Sequence, residues 1–379
     1  MPTSLFRTSV AMLLTGLLLL ALPACQQTAG PGGGPRVAAE EGVRVKALYE
    51  RAKKLDAEGK YAAAERDLRE AAGVVERATG GDSLQTAFAL SALADQNMNV
   101  ANFAEAERHL DRAMKIGERL RGAQHPDIAE FLRKQFNLAM LLGRFDEADI
   151  LAQRYVEIVR RSFGPKHPFV GRGLGQRAAA LDQLEKYEAA EPIRLEALDI
   201  AQNAWGAEHL DTAAALIGLA RTYAAGGRAD EAAGIVRRAN AIVLAVTKGE
   251  GRDYAAALNQ QGEAELAAGL YADAKASLSR GLAAALTVFG PGHPETGFSL
   301  LALGVAESRL GEFDAGRTHM AGGIDLIRAA HTDGHPAYAT ALLRQAEAYR
   351  INGQGAEAEI FVEKAEAIRK RLIRLGSTI

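Results

Sequence analysis

The chain has 379 residues, 24% of them charged, and a formal net charge of −2 at pH 7. It therefore lacks the basic field that binds nucleic acid, and we expect no nucleic-acid partner. Aromatic residues make up only 6% of the chain, which favours closely packed helices over a sheet, and a single cysteine excludes an internal disulfide framework.

The amino-terminal segment has the pattern of a secretory signal peptide. Arg7 provides a positive charge, and the nearly apolar residues 10–21 that follow are too few for a membrane span, which needs about 20. The segment ends in Leu22-Pro23-Ala24-Cys25, which resembles the lipobox of bacterial lipoproteins. We therefore interpret residues 1–24 as a lipoprotein signal peptide. An ordinary cleaved signal with an incidental cysteine is the alternative.

The lipobox resemblance implies a lipid modification at Cys25, which would become the mature amino terminus. Anchoring by two or more acyl chains is stable, whereas a single chain is marginal. By the same resemblance, Gln26 after the cysteine favours an outer-membrane lipoprotein facing the periplasm, with the inner membrane as the alternative. Residues 25–40 contain Gly and Pro at high density over positions 30–35, which predicts a flexible linker.

The rest of the chain is a repeat with a constant period of 42 residues. Its recurring turn is predicted to centre on Tyr61, Phe103, Phe145, Tyr187, Ala229, Tyr271, Phe313 and Gly355. A period without insertions indicates one supersecondary unit stacked repeatedly, so we predict an all-α solenoid of eight units over residues 41–375.

The third unit shows most clearly that each repeat holds two helices. Pro126 suits the first turn of helix A, and Gly143 suits its end. Helix B follows and ends at Phe163-Gly164-Pro165, since proline cannot continue a helix. The spacing therefore predicts two antiparallel helices in each unit.

Three further repeat positions are predicted to be core. A Leu position in helix A comprises Leu48, Leu90, Leu132, Leu174, Leu216, Leu258, Leu300 and Leu342. A small position in helix B comprises Ala64, Ala106, Ala148, Ala190, Ala232, Ala274, Gly316 and Ala358. A late position in helix B comprises Val74, Ile116, Ile158, Ile200, Ile242, Ala284, Leu326 and Ile368.

Four repeat positions resemble the tetratricopeptide repeat. They are the Leu position of helix A, a mostly small position four residues later (as at Ala52), the aromatic residues at the turns and the Ala position of helix B. The 42-residue period and the Phe-Gly-Pro-x-His-Pro connector at residues 163–168 and 289–294 resemble its kinesin-light-chain type. This resemblance implies a right-handed superhelix of eight helix pairs whose A helices line a concave groove. It places a partner-binding surface at Lys53, Arg133, Asn137, Arg172, Arg221, Asn259, Glu263 and Glu347. Apolar contacts are expected at Phe88, Ile217, Phe298 and Leu343.

Other candidate chemistry has a structural explanation. One connector position holds His125, His167, His209, His293 and His335, and we interpret these as structural because a solenoid keeps them apart. The Gly171, Gly173 and Gly175 pattern lies within a predicted helix and follows no strand, so it predicts a bend or a mobile unit rather than a phosphate loop. Trp205 is predicted to pack in the connector. We expect no metal, cofactor, small-molecule substrate or catalytic site.

The sequence therefore predicts a lipid-anchored scaffold of the bacterial cell envelope that binds a protein or peptide in its groove. A pilotin-like chaperone or assembly factor for an outer-membrane complex is the alternative. An enzyme subunit with an unrecognised hydrolytic site is a more distant one.

Overall fold

The computed structural model describes residues 35–331 and 333–377. These residues form sixteen α-helices and no strand, as predicted, in eight consecutive pairs of a first helix A and a second helix B. The predicted signal peptide, Cys25 and most of the predicted linker lie outside the described residues. None of the helices described is long and apolar enough to cross a membrane.

The helices have nearly constant lengths along the chain. The A helices are α1 (Pro35–Ala57), α3 (Leu84–Asn99), α5 (Pro126–Leu142), α7 (Pro168–Gln183), α9 (Leu210–Ala225), α11 (Gly251–Ala267), α13 (Pro294–Arg309) and α15 (Pro336–Ile351). The B helices are α2 (Tyr61–Thr79), α4 (Phe103–Arg121), α6 (Phe145–Phe163), α8 (Tyr187–Trp205), α10 (Ala229–Thr247), α12 (Tyr271–Phe289), α14 (Phe313–His331) and α16 (Gly355–Ser377). Since α1 begins at Pro35, residues 35–40 belong to the first helix and not to the predicted linker.

The chain divides into two compact units, with a boundary after Leu138. We call their described parts the N-terminal unit (35–138) and the C-terminal unit (139–377). Consecutive helices pack against each other from α1 to α4 in the N-terminal unit and from α6 to α16 in the C-terminal unit. Packing between sequence neighbours is the arrangement of a solenoid.

The turn between the helices of a pair differs from the prediction by a few residues. The positions predicted as turn centres are the first residues of the B helices, as at Tyr61. The chain turns just before them, where Gly59 has φ 71°, a left-handed conformation that glycine adopts without strain. The Lys60 amide then donates to the Leu55 carbonyl at 2.9 Å, which closes helix A and lets helix B start at the next residue.

The predicted core positions are largely buried. The small position of helix B is buried in all eight pairs, and the Leu position of helix A is buried in seven. Leu300 is the exception, because its neighbour Leu301 is buried there instead. The late position of helix B is buried from Val74 to Ile242, but Ala284, Leu326 and Ile368 are only half-buried. In α12 and α14 the next residue, Ala285 or Ile327, takes the buried place.

The connector histidines are structural, as predicted. Each accepts a hydrogen bond at Nδ1 from the backbone amide two residues later, which caps helix A, at distances of 3.0 to 3.2 Å. Four of their rings also stack on the ring four residues earlier, in the pairs Phe163–His167, Trp205–His209, Phe289–His293 and His331–His335. No three His, Cys, Asp or Glu side chains of the described residues are grouped to hold a metal ion.

The glycines of the fourth pair allow close helix contact. Helix α7 is continuous through all three. A Cβ atom at Gly173 would lie 2.5 Å from the Tyr155 ring and 2.7 Å from Val156, so only glycine lets α6 approach this closely. The structure thus explains Gly173 by packing, and greater mobility of this pair stays a prediction.

A buried polar cluster interrupts the apolar core of the C-terminal unit. The Arg194 guanidinium donates to Asp182 Oδ2 at 2.9 Å, to Thr222 Oγ1 at 3.2 Å and to the Gly175 carbonyl at 3.1 Å. The Thr222 hydroxyl donates to Asp182 at 2.9 Å. These contacts join α7, α8 and α9, and they pair both buried charges as burial requires.

Candidate partner-binding surface

The A helices of the C-terminal unit form a continuous wall. Helix α7 contacts α9, α9 contacts α11, α11 contacts α13 and α13 contacts α15, while no comparable contact joins consecutive B helices within the described part of this unit. The A helices therefore form its tighter side, where successive repeats in a solenoid create a binding surface. We define the A face as Arg172, Arg221, Asn259, Glu263, Phe298, Leu343, Arg344 and Glu347.

An ion pair crosses the A face between two helices that are not neighbours. Arg344 Nη1 on α15 donates to Glu263 Oε1 on α11 at 2.5 Å, and α13 lies between these helices in the wall. In the intervening repeat the two equivalent positions hold Val305 and Ala302, which are short and apolar. Long side chains on α11 and α15 can therefore meet past α13.

The pair determines the titration of both groups. Burial is the largest single influence on Glu263 and tends to raise its pKa, but the charge and the hydrogen bond of Arg344 together, with a contribution from Arg221, lower that pKa below its usual value. The charge of Glu263 raises the pKa of Arg344 against the effect of burial. Both groups are thus charged at neutral pH.

Two further predicted residues connect adjacent A helices. The Asn259 side-chain amide on α11 donates to Ser299 Oγ on α13 at 2.6 Å. Glu347 on α15 accepts from Arg309 Nη2 on α13 at 2.5 Å. The structure therefore brings Asn259, Glu263 and Glu347 together on the last three A helices of the wall.

The two predicted arginines nearer the start of the wall differ in their surroundings. Arg172 is half-buried, with its guanidinium carbon 5.4 Å from the centre of the Phe169 ring. Arg221 is exposed and occupies the same repeat position on α9 as Glu263 on α11. Arg221 is consequently the predicted cation of this unit most open to a partner.

The predicted apolar contacts are only partly available. Ile217 is buried in a core cluster with Ala239 and Ile242 of α10, so its prediction as a groove contact is wrong. Its side chain lies on the side of α9 that packs on helix B. Phe298 and Leu343 are half-buried and pack against core clusters, which leaves part of each side chain accessible.

The N-terminal unit holds the remaining predicted residues. Lys53 on α1 is exposed, and Asn137 on α5 is half-buried. Arg133 bonds to Glu130 on its own helix at 2.7 Å, which reduces its availability to a partner. The Phe88 ring lies 5.2 Å from the buried ring of Phe131 and is half-buried.

Sequence reasoning missed two basic residues that hold A helices together. Lys134 Nζ is buried and donates to Asp95 Oδ2 at 2.7 Å and to the Ser91 carbonyl at 3.0 Å, joining α5 to α3. Arg344 occupies the same repeat position as Lys134, and Glu263 the same position as Asp95. Comparing the charges that successive repeats carry at these two positions could have identified the ion pairs Asp95–Lys134 and Glu263–Arg344.

Comparisons with known proteins agree with this geometry. Two family models of the tetratricopeptide repeat match the chain, one over residues 132–203, 172–244 and 253–319 and the other over residues 89–127. The chain belongs to the tetratricopeptide repeat family, which is in general a protein-interaction fold without enzymatic activity. No curated protein matches it in sequence.

Two solved Rap structures show the same fold. A Rap protein complexed with Competence and Sporulation Factor is 15% identical, with a TM-score of 0.66, and the match covers 96% of this chain and 99% of that one. The Rap conjugation gene regulator of plasmid pLS20, in complex with the Phr* peptide, is 11% identical, with a TM-score of 0.60 and coverage of 87% and 96%. A putative kinesin light chain of Podosopora anserina with TPR-like repeats is 23% identical, with a TM-score of 0.42 and coverage of 54% and 97%.

Proposed function

We propose that this protein is a lipid-anchored scaffold of the bacterial cell envelope that binds a protein or peptide on the A face of its C-terminal unit. The observation that supports this most is the continuous wall of A helices, which presents polar and charged side chains from α7 to α15. The two Rap structures named above are complexes, one with Competence and Sporulation Factor and the other with the Phr* peptide, which supports the same use of this fold.

Anchoring is proposed from the sequence. The lipobox-like residues 22–25 supply the acylation site, and the Gly- and Pro-rich residues 30–34 supply a tether before α1. In this arrangement the repeats face the periplasm. The lipid anchor lies in the outer membrane, because Gln26 after the cysteine favours that membrane.

Site-specific photo-crosslinking in intact cells tests the binding surface. A photoreactive residue at Arg221 should give a defined crosslinked partner, because Arg221 is exposed on the A face. Arg237, an exposed arginine on the B helix α10, is the matched control position. The same partner captured equally from both positions, or from Arg237 alone, would contradict binding on the A face.

A charge reversal tests the same surface in a second way. Arg221→Glu should weaken the crosslink formed from Arg172, while Arg237→Glu should leave it unchanged, with equal helicity in both variants.

Cell fractionation tests the lipid anchor. Cys25→Ser should move the protein from the membrane to the soluble periplasmic fraction. Retention of that variant in the membrane would show that Cys25 is not the anchor.

A further inference from the structure

We propose that the Glu263–Arg344 ion pair is a latch that holds α11 and α15 together across α13, and that a partner must open it to reach the inner surface of α13. This inference rests on the proposed function for the role of the partner. The latch itself is a property of the unbound chain.

The span of the pair distinguishes it from the other contacts of the wall. The other bonds between A helices of this unit, such as Asn259–Ser299 and Arg309–Glu347, join helices that already pack on each other. Glu263 and Arg344 are 81 residues apart and join two helices with a third between them. Among the bonds described between A helices of this unit, this one forms only if the wall curves enough to bring α11 and α15 close to each other.

The surface beneath the pair is apolar. Ala302 and Val305 are buried side chains at the positions over which the ion pair reaches, and Phe298 is half-buried on the same helix. A partner side chain that packs on this part of α13 would occupy the space the pair crosses. Closed and partner-filled arrangements consequently exclude each other.

The pair is weak enough to open. The Glu263 and Arg344 side chains keep 41% and 30% of their surface exposed. An ion pair at this level of exposure shifts an equilibrium by about fivefold or less, and salt weakens it further. A partner can therefore replace the contact at small cost.

Each member of the latch has a second counter-charge nearby. Arg221 contributes to the lowering of the Glu263 pKa, and Glu347 contributes to the raising of the Arg344 pKa. When the pair separates, Glu263 can turn toward Arg221 and Arg344 toward Glu347. The open arrangement thus leaves neither charge isolated, which is what a two-state element requires.

Pulsed electron-spin distance measurements on the full chain test the latch without a partner. Spin labels at Ala256→Cys and Thr340→Cys lie on α11 and α15 at the same repeat position, and Cys25→Ser removes the natural thiol. We expect a narrow distribution of the distance between the two labels. In Glu263→Gln the mean distance should increase or the distribution should broaden. The parent protein should change in the same way at about 1 M NaCl, where charges are screened within about 3 Å.

Two variants control for local packing. Asp149→Asn breaks the ion pair that α6 makes with Arg177 on the adjacent helix α7, and it should leave the distribution unchanged. The charge swap Glu263→Arg with Arg344→Glu should restore the narrow distribution, because the pair reforms with reversed polarity. Distributions that are the same in the parent, in Glu263→Gln and in high salt would overturn the proposal, as would a swap that stays as broad as Glu263→Gln.

The partner experiment separates this inference from the proposed function. If the latch and the function both hold, Glu263→Gln should increase crosslinking from Arg221 severalfold, since closed chains are fewer. If the distances shift while Arg221 gives no more crosslinking than Arg237, the latch stands and the proposed binding surface fails.

Discussion

Arg194 occupies the repeat position that Leu278 holds two pairs later, and both side chains are buried, at 7% and 0% exposure. Glycine makes room for the larger, charged residue: a Cβ at Gly218 would lie 2.7 Å from the Arg194 guanidinium. The fourth pair therefore replaces an apolar core contact with a charged one. Such an exchange has a desolvation cost, because two charges are removed from water.

Removing Arg194 should destabilise the C-terminal unit strongly. Arg194→Ala leaves the buried Asp182 carboxylate without its counter-charge, which costs about 3–5 kcal/mol in comparable buried pairs. Arg194→Met combined with Asp182→Asn should recover most of the loss. Urea unfolding followed by circular dichroism, with amide exchange in α7 to α9, measures both. A loss no larger than that of the exposed control Arg237→Ala would contradict this role.

Two glycines of α7 should respond in opposite ways to alanine. Gly173→Ala places a methyl group against Tyr155 and should destabilise by about 1–3 kcal/mol. At Gly175 the added Cβ would lie 3.9 Å from the Arg194 guanidinium, so alanine fits and should stabilise the helix by up to about 1 kcal/mol. Amide exchange in α7 should slow in the second variant. Equal effects at both positions would show that helix propensity, and not packing, decides.

The connector histidine His209 should contribute through its cap and its ring. His209→Ala removes the acceptor for the Asp211 amide and should cost about 1 kcal/mol, whereas His209→Asn can keep the cap. Both variants lose the stacking with Trp205, which should shift the emission of this single tryptophan. If His209→Asn is as unstable as the alanine variant, the stack and not the cap carries the stability.

The Arg51–Asp67 pair should make the N-terminal unit sensitive to acid. The hydrogen bond from Arg51 lowers the pKa of Asp67 below its usual value of 3.8. Because the folded pKa is the lower one, this stabilisation is complete above about pH 4 and is lost as the pH falls through the folded pKa. Asp67→Asn should unfold more easily than the parent at pH 7, with a smaller difference at pH 3. Asp82→Asn, an exposed partner of Arg119, is the control, and an equal pH response would contradict the assignment.

Much of the fold follows from periodicity. The buried Leu and Ala positions recur at equal steps, and the Gly and Pro residues that end and begin helices bracket them, so helix number and pairing were predictable. The exact burial in the last pairs was not. Ile327 and Ala285 replace the expected positions because packing is decided by both facing helices, which a single repeat position does not contain.

The binding surface was less predictable than the fold. The resemblance to the tetratricopeptide repeat placed Glu263 and Glu347 on the groove surface, but it also placed Ile217 there, although that side chain packs on α10. Arg344 was missed because its partner lies two repeats away, and its contact depends on the short side chains between them. A contact that skips a repeat depends on curvature, which the 42-residue period does not reveal.

The junction between α10 and α11 is built differently from the other connectors. Thr247 and Gly251 stand where the C-terminal unit otherwise has stacked rings and a histidine cap, and Glu250 gives no side-chain cap to α11. Lys248 there adopts φ 55°, an unfavourable conformation for a lysine. Under tension or mild heating, we expect the repeats to separate first at this junction. A protease specific for lysine could then cut there and release α11 to α16, which include the latch, as an intact fragment.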